Sequence, residues 1–262
     1  MNLDLVGKQA IVCGGSKGIG RAAAEELSLL GASVTVISRS EDTLKETVAS
    51  LSTAKGQKHG YIAANFMDTD EVEEKVKKHL AAVGVVHILV NNGGGPPAGS
   101  ALEASIHDYA AIFTQHVLVS QIMVQAVVPG MKAAKYGRIV NVLSTSVKQP
   151  VKGLGVSNTI RGAMAQWSKT LASELGPFGI TVNNLLPGAT DTGRMKEIIS
   201  GKSKKTGKTE DEVKADEIAA IPAGRFGQPN ELGAAIAFLA SPAAAYINGI
   251  NLPVDGGRTS GL

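Results

Sequence analysis

Short apolar runs rich in β-branched residues alternate along the chain with longer segments of helical periodicity. The runs of strand length cover residues 9–14, 33–38, 59–66, 86–92, 137–144, 179–188 and 249–257. They are continuously apolar rather than alternating, which is typical of strands buried on both faces of a parallel sheet. Helical patterns, such as 21–31 and 156–175, fill most of the intervals. The pattern predicts an α/β fold with one doubly wound parallel sheet between two layers of helices.

No repeat, linker or shift in composition divides the 262 residues, so we expect a single domain over 1–262. Residues 194–218 depart from the alternating pattern because they are polar and rich in Lys, Gly and Thr. We predict a lid-like insertion there, and two interpretations stay open. The segment is either a mobile lid over the substrate end of the strands or a solvated surface loop.

Composition narrows the class of protein. Twenty-six bases against twenty-three acids give a net charge of only +3, which argues against a nucleic-acid partner. Cys13 is the single cysteine, so an intrachain disulfide is impossible, and we interpret it as a packing residue in a reducing cytoplasm. The N-terminus lacks a basic start before an apolar run, so no signal peptide is expected.

Two stretches, 109–131 and 233–254, contain no Asp, Glu, Lys or Arg and are as long as a membrane span. The first contains Gln115, His116 and other polar residues, and the second is broken by prolines and Gly249. Such interruptions are unfavourable in a bilayer, so we expect no membrane span.

A glycine-rich stretch, CGGSKGIG at 13–20, follows the first strand and opens a helix. Glycines let the backbone approach a pyrophosphate, and a helix N-terminus offers free N–H groups and partial positive charge. The alternative is an ordinary glycine-rich turn. The position after the first strand favours a dinucleotide site. The predicted phosphate-binding residues are Gly14, Ser16, Lys17, Gly18, Ile19 and Gly20.

The end of the second strand predicts which dinucleotide is bound. A carboxylate at this place binds the ribose of NAD, whereas an arginine favours the 2′-phosphate of NADP. The chain has Ser38 and Arg39 here, and Lys17 lies in the glycine-rich stretch. Glu41 is better explained as part of the first turn of the next helix. We therefore predict NADP, with NAD as the alternative if both bases are merely solvated surface residues.

Several motifs together resemble one known family. The glycine spacing from Gly14 to Gly20, NNGG at 91–94, Ser144 and the pair Pro187-Gly188 resemble the short-chain dehydrogenase/reductase family. The resemblance covers residues 5–258 and is strongest to its 3-oxoacyl-carrier-protein-reductase-like branch. It implies a seven-stranded Rossmann sheet, hydride transfer between a nicotinamide and a small carbonyl or alcohol substrate, and a homo-oligomer, a tetramer or a dimer.

The resemblance assigns further cofactor residues, with three departures. Cys13 stands where the family has Thr, Gly93 where it has Ala, and Asn65 where it has an adenine-contacting Asp. Pro187 and Gly188 are implied to flank the nicotinamide. The remaining predicted cofactor residues are Asn65, Phe66, Asn92, Gly93 and Arg161.

The catalytic positions match the family only in part. Ser144 matches, but Ser157 replaces the Tyr, Arg161 replaces the Lys and His116 replaces the helix-borne Asn. Ser157 and Arg161 still share a helix face. Arg161 is suited to holding the nicotinamide ribose but stays protonated, so it relays no proton. His116 is either a replacement acid or a buried helix histidine with a backbone or water contact.

The leading hypothesis is an NADP-preferring oxidoreductase whose proton donor is atypical and which uses no metal. The alternatives are a dinucleotide-binding subunit or sensor, and a structural partner in a mixed oligomer. GKSKKTGKT at 201–209 is no phosphate-binding loop, because five residues rather than four separate its glycines and no strand precedes it. A basic dock for an acidic carrier protein stays open for this stretch.

Overall fold

The computed structural model describes residues 1–96 and 98–261, and a parallel sheet of seven strands runs through its middle. The spatial order of the strands is β3-β2-β1-β4-β5-β6-β7, so the direction of winding reverses between β1 and β4. The predicted doubly wound α/β fold is confirmed. The strands are β1 (Gln9–Cys13), β2 (Ser33–Ser38), β3 (Gly60–Ala63), β4 (Ile88–Asn91), β5 (Gly137–Val142), β6 (Ile180–Pro187) and β7 (Asn251–Val254).

Helices cover both faces of the sheet. The α-helices are α1 (Gly18–Leu29), α2 (Glu41–Ser50), α3 (Thr69–Val83), α4 (Ile106–Phe113), α5 (Val119–Ala134), α6 (Gly155–Leu175), α7 (Gly193–Thr206), α8 (Glu210–Ala219) and α9 (Pro229–Ala240). A π-helical turn, Thr114–Leu118, joins α4 to α5. Helices α1, α2 and α9 contribute to one hydrophobic core, and α3, α5 and α6 contribute to the other.

Strand β1 shows why the strand sequences are continuously apolar. Ala10 and Val12 belong to the core beneath α1 and α9, whereas Ile11 and Cys13 belong to the core on the opposite face. Successive side chains of a strand point to opposite faces, so a strand buried on both faces is apolar at most of its positions. Cys13 is buried in this core.

A row of asparagines crosses four neighbouring strands. The Nδ2 of Asn91 donates to Oδ1 of Asn141 at 2.9 Å, and Nδ2 of Asn141 donates to Oδ1 of Asn184 at 3.0 Å. Asn184 in turn donates to Oδ1 of Asn251 at 2.8 Å. We call these four residues the asparagine row. Because they are directly paired in the sheet register, the row fixes β4–β7 relative to one another.

Residues 194–218 are not a loop. All but 207–209 lie in α7 and α8, which pack on each other around a small separate core that includes Ile199, Val213 and Phe226. The solvated-loop interpretation is therefore wrong. The polar composition arises because these helices bury only a few apolar positions. The lid interpretation stays a prediction.

The run Ile106–Ala134 is, by length and composition, one helix that could cross a membrane. Its buried positions Val119, Met123, Val127 and Met131 pack in the core between α5 and the sheet. An apolar helix of this kind is also what the core of an α/β sheet requires.

Candidate active site

A cleft of about 820 Å³ opens beyond the carboxyl ends of the strands, where the winding direction reverses. In doubly wound sheets this crevice is where ligands bind. All predicted cofactor residues except Gly20 line the cleft. They are Gly14, Ser16, Lys17, Gly18, Ile19, Arg39, Asn65, Phe66, Asn92, Gly93, Arg161, Pro187 and Gly188.

Gly20 acts through packing instead. A Cβ at this position would clash with the carbonyl oxygen of Gly14 and lie 2.7 Å from Nδ2 of Asn92. Asn92 Nδ2 already donates to that carbonyl at 3.2 Å. Gly20 therefore lets α1 approach the loop, which brings the start of the helix to the cleft.

The start of α1 is built to receive an anion. Gly14 and Gly18 have positive φ values of +59° and +54°, which favour glycine. Lys17, at the N-cap, makes no side-chain cap, so no side chain satisfies the first N–H groups of α1 from that position. Uncapped N–H groups with the partial positive charge of a helix N-terminus suit a phosphate.

The outer end of the cleft carries two exposed cations. Lys17 and Arg39 line it, and neither forms an ion pair within residues 1–96 and 98–261. The hydroxyl of Ser38, the last residue of β2, is buried and has no partner among the same residues. Glu41 is turned to Lys45 at 2.9 Å and Tyr61 at 3.0 Å, which lower its pKa. The 2′-phosphate end of NADP fits this set of donors.

At the inner end, Arg161 and His116 contact each other. Nη1 of Arg161 donates to the carbonyl of Val142 at 2.9 Å and lies 3.4 Å from Nδ1 of His116. Nε2 of His116 lies 2.8 Å from the carbonyl oxygen of Gly94. A carbonyl only accepts, so Nε2 carries the hydrogen, Nδ1 accepts from Arg161 and the ring is neutral.

The electrostatics agree with a neutral ring. Burial and the neighbouring charge of Arg161 lower the pKa of His116 to about 3. A histidine with this pKa is not in the imidazolium form at neutral pH, and the one hydrogen that it keeps, on Nε2, is bonded to the carbonyl of Gly94. The contacts fit the interpretation of a buried helix histidine with a backbone contact, and they disfavour the replacement acid.

Gly93 lies directly against the imidazole. A Cβ on this residue would lie 2.5 Å from Cε1 and 2.8 Å from Nδ1 of His116. These separations are well inside van der Waals contact, so the ring occupies the space of the missing methyl group.

The guanidinium of Arg161 is only partly used. Burial lowers its pKa to about 10, so it stays charged at neutral pH. Within the described part of the chain, no hydrogen bond is formed by its Nε or Nη2, and no carboxylate pairs with it. The residue lines the inner wall of the cleft.

The two predicted catalytic serines do not line the cleft. The hydroxyl of Ser144 accepts from the backbone N–H of Ser146 at 3.1 Å and so caps the turn Thr145–Val147. Ser157 is 8% exposed, and its side chain forms no hydrogen bond within the described ranges. A serine is shorter than a tyrosine by a ring, so the side chain of Ser157 reaches less far than the tyrosine of the family would.

The tyrosines lie elsewhere, and none lines the cleft in the described ranges. Tyr109 donates to the carbonyl of Ala101 at 3.3 Å, Tyr136 donates to Ala240 at 2.8 Å, and Tyr246 is exposed. No tyrosine hydroxyl therefore replaces the one that the family has at position 157.

One wall of the cleft was missed by the sequence prediction. It comes from the start of α7, where Thr192 caps the helix and Arg194 donates to the carbonyl of Pro96 at 2.5 Å. A threonine before a helical run is an N-cap signal that could have placed this helix. The stretch 201–209 holds the end of α7 and its left-handed cap Gly207, not a phosphate loop.

Known proteins that are similar to this chain are described as reductases. A family profile described as "Enoyl-(Acyl carrier protein) reductase" matches residues 14–259. The chain is 33% identical over 257 residues to the 3-oxoacyl-acyl-carrier-protein reductase of Vibrio harveyi, covering 97% of this chain and 98% of the relative. It is 32% identical over 251 residues to the short-chain reductase NovJ of Streptomyces niveus, covering 95% and 93%.

Solved structures agree in fold over the whole chain. The L-sorbose reductase of Gluconobacter frateurii, complexed with NADPH and L-sorbose, superposes with a TM-score of 0.93 at 30% identity, covering 100% of both chains. Actinorhodin polyketide ketoreductase with NADPH gives 0.89 at 29% identity, covering 97% and 98%. The chain therefore belongs to the short-chain dehydrogenase/reductase family of NAD(P)-dependent oxidoreductases.

Proposed function

We propose that the protein is an NADP-preferring oxidoreductase that transfers a hydride between the nicotinamide and a small carbonyl or alcohol substrate. The observation that carries the cofactor choice is the outer end of the cleft. Lys17 and Arg39 are unpaired there within the described residues, and Ser38 stands where an acid would favour NAD. The relatives solved with NADPH support the same choice.

Different residues along the cleft bind different parts of NADP. The start of α1 binds the pyrophosphate, Lys17 and Arg39 bind the 2′-phosphate, and Asn65 and Phe66 hold the adenine. Arg161, Pro187 and Gly188 orient the nicotinamide and its ribose. The bound nicotinamide supplies or accepts the hydride.

The proton is the unusual part of the proposed reaction. His116 is neutral, Arg161 keeps its proton, and no tyrosine lines the described cleft. We assign the proton to water that enters the cleft beside Arg161. Arg161 contributes a fixed positive charge at the wall of the cleft, where the substrate oxygen becomes negative during hydride transfer. This charge stabilises the oxygen electrostatically and transfers no proton to it.

Titration of NADPH and NADH by fluorescence tests the cofactor choice. Arg39→Ala and Lys17→Ala should each weaken NADPH binding while NADH binding changes little. Arg21→Ala is the matched control, because Arg21 is also a cation of α1 but pairs with Glu25 at 2.8 Å. Equal affinity of the wild type for both cofactors would contradict the assignment.

The second candidate is a dinucleotide-binding subunit or sensor without turnover. The neutral His116 and the lack of a tyrosine in the described cleft favour it. NADPH oxidation on a broad panel of carbonyl compounds separates the candidates. An enzyme should oxidise NADPH with at least one carbonyl, whereas a sensor should bind NADPH and turn over with none.

We also propose a cytoplasmic homo-oligomer, a dimer or a tetramer. Leu102 is 93% exposed and Ile106 is 79% exposed, and Phe113 and Leu118 are partly exposed on the same run of chain. An apolar patch of this kind marks a contact surface. Light scattering should show more than one chain per particle, and a monomer at micromolar concentration would contradict this.

A further inference from the structure

Three departures from the family pattern meet at one point of the structure. Gly93, His116 and Arg161 lie on the loop after β4, the π-helical turn and α6, and all three line the inner end of the cleft or the small cavity behind it. We call them the inner-site trio. The closeness of residues from three separate elements raises the question of whether they act together.

We propose that His116 is a positioning residue for Arg161, and that Gly93 provides the space its ring requires. The proposal rests on the proposed assignment of Arg161 to the nicotinamide end of the cleft. It extends that assignment by giving the histidine and the glycine defined tasks.

The hydrogen bonds of the ring have only one consistent arrangement. The carbonyl of Gly94 accepts from Nε2, so Nδ1 presents its lone pair to Nη1 of Arg161. The carbonyl of Val142 accepts from the same Nη1. Two acceptors on one nitrogen fix the plane of the guanidinium, because its donors form a rigid fork. Nε and Nη2 are left for a ligand.

The space for the ring depends on Gly93. A methyl group here would overlap Cε1 and Nδ1 of His116, the latter being the atom that accepts from Arg161. The ring is 4% exposed, so it cannot make room for a methyl group without moving from its present position. A methyl at position 93 should therefore push the imidazole off Arg161.

The charges around the ring favour the same arrangement. The titratable side chains lining the small cavity are Cys13, His116 and Arg161. A protonated imidazole would face the guanidinium charge in a buried place, which is unfavourable. The neutral ring is the form that accepts from Arg161, so the hydrogen bond and the charge state support each other.

A double-mutant cycle tests the trio through NADPH affinity. Gly93→Ala should weaken NADPH binding on the order of tenfold, because Arg161 loses its orientation. His116→Asn should also weaken it by several-fold. In the His116→Asn background, Gly93→Ala should change the affinity by less than about twofold, because no ring is left to displace. Gly162→Ala is the matched control, since its Cβ would meet nothing within 4 Å.

Two outcomes of the cycle overturn the proposal. If Gly93→Ala weakens binding equally in both backgrounds, the methyl acts on the cofactor or the loop and not through His116. If His116→Asn lowers thermal stability but leaves NADPH affinity unchanged, the histidine only fills space.

A second measurement needs no cofactor. The ¹⁵N chemical shifts of the His116 ring in the free protein at pH 7 should show a neutral ring with the hydrogen on Nε2. They should change in Gly93→Ala and stay unchanged in Gly162→Ala. A protonated ring or a hydrogen on Nδ1 overturns the proposal. Because NADPH is absent, failure of the cofactor assignment is distinguished from failure of the trio.

Discussion

A guanidinium differs from an ammonium in the number and direction of its donors, and Arg161 makes use of that difference. One nitrogen is held by the protein, at Val142 and His116, while two remain for a ligand. A lysine at this position has a single nitrogen for both tasks. Arginine in place of lysine therefore keeps a cation in the cleft but changes the contacts that orient it.

Removing the guanidinium of Arg161 should weaken the binding of the cofactor. We expect Arg161→Ala to reduce NADPH affinity, because charged hydrogen bonds are each worth about 1.5–3 kcal/mol. Fluorescence titration gives the affinity, and thermal unfolding checks that the variant is folded. Arg161→Lys keeps the charge and should retain more affinity than alanine. An alanine variant that binds NADPH like the wild type would show that Arg161 does not anchor the ribose.

Ser157 should matter much less than Arg161. Its hydroxyl has no partner within the described ranges and does not line the cleft, so Ser157→Ala should leave most of any NADPH oxidation intact. The paired change Ser157→Tyr with Arg161→Lys restores the family's acid and should raise activity on simple ketones by up to about 10²–10⁴-fold. One ketone panel serves all variants. Loss of activity in Ser157→Ala alone would identify Ser157 as the donor or its relay.

The sequence predicted the roles of some residues of the site better than those of others. The glycines and cations of the cleft follow from local spacing, and the structure brings them together. The neutral state of His116 could not be predicted, because it depends on a carbonyl at Gly94 and a guanidinium 45 positions along the chain. The unpartnered hydroxyl of Ser38 is likewise visible only once β2 and the cleft are placed.

At the scale of elements, α7 and α8 form a unit with its own small core. Their apolar residues pack on each other, separate from the two large cores beside the sheet. Glu217 of α8 is paired with Lys202 of α7 and with Arg258 near the C-terminus at 2.9 Å. A unit whose small core is separate from the two large ones is the kind of element that opens locally.

Hydrogen exchange should report this opening. We expect backbone amides of α7 and α8 to exchange faster than those of β1 and β4 in the free protein. NADPH should slow them, since the start of α7 lines the cleft. Strong protection of α7 and α8 in the free protein, unchanged by NADPH, would contradict the lid. No residue of α9 lines the cleft, so the amides of α9 provide the internal control.

The sequence did contain signals for these helices. Thr209 and Glu212 form a capping box at the start of α8, a pattern that predicts a helix. The polar composition of 194–218 outweighed this signal and led to the prediction of a lid-like insertion, interpreted as a mobile lid or a solvated loop. The strands were predicted more accurately, because burial on both faces leaves continuous apolar runs. The asparagine row could not be foreseen, since it depends on the register of four strands distant in sequence.

For the whole molecule, His116 couples folding to pH. Its pKa is near 6.5 in an unfolded chain and about 3 in the folded protein, so the unfolded chain binds the proton first. The stabilisation is fully present above pH 6.5 and is lost as the pH falls towards 3. Between pH 7 and 5 this group alone should remove about 2 kcal/mol from the free energy of unfolding.

Denaturant unfolding at a series of pH values checks this. The burial of His79 and His87 lowers their pKa values too, so the wild type alone does not isolate one residue. The comparison is with His116→Asn, which should lose less stability than the wild type between pH 7 and 5. Parallel pH curves for the two proteins would show that His116 titrates normally.

The contact between Gly93 and His116 also restricts the order in which this site can have changed. The resemblance places alanine and asparagine at these positions in the family. A histidine introduced beside alanine would overlap its methyl group, whereas glycine introduced beside asparagine meets no ring. The glycine is therefore the step that has to come first, and the histidine is accessible only to a chain that already carries it. The same overlap restricts reversion, because alanine cannot return at position 93 while His116 is present without displacing the ring.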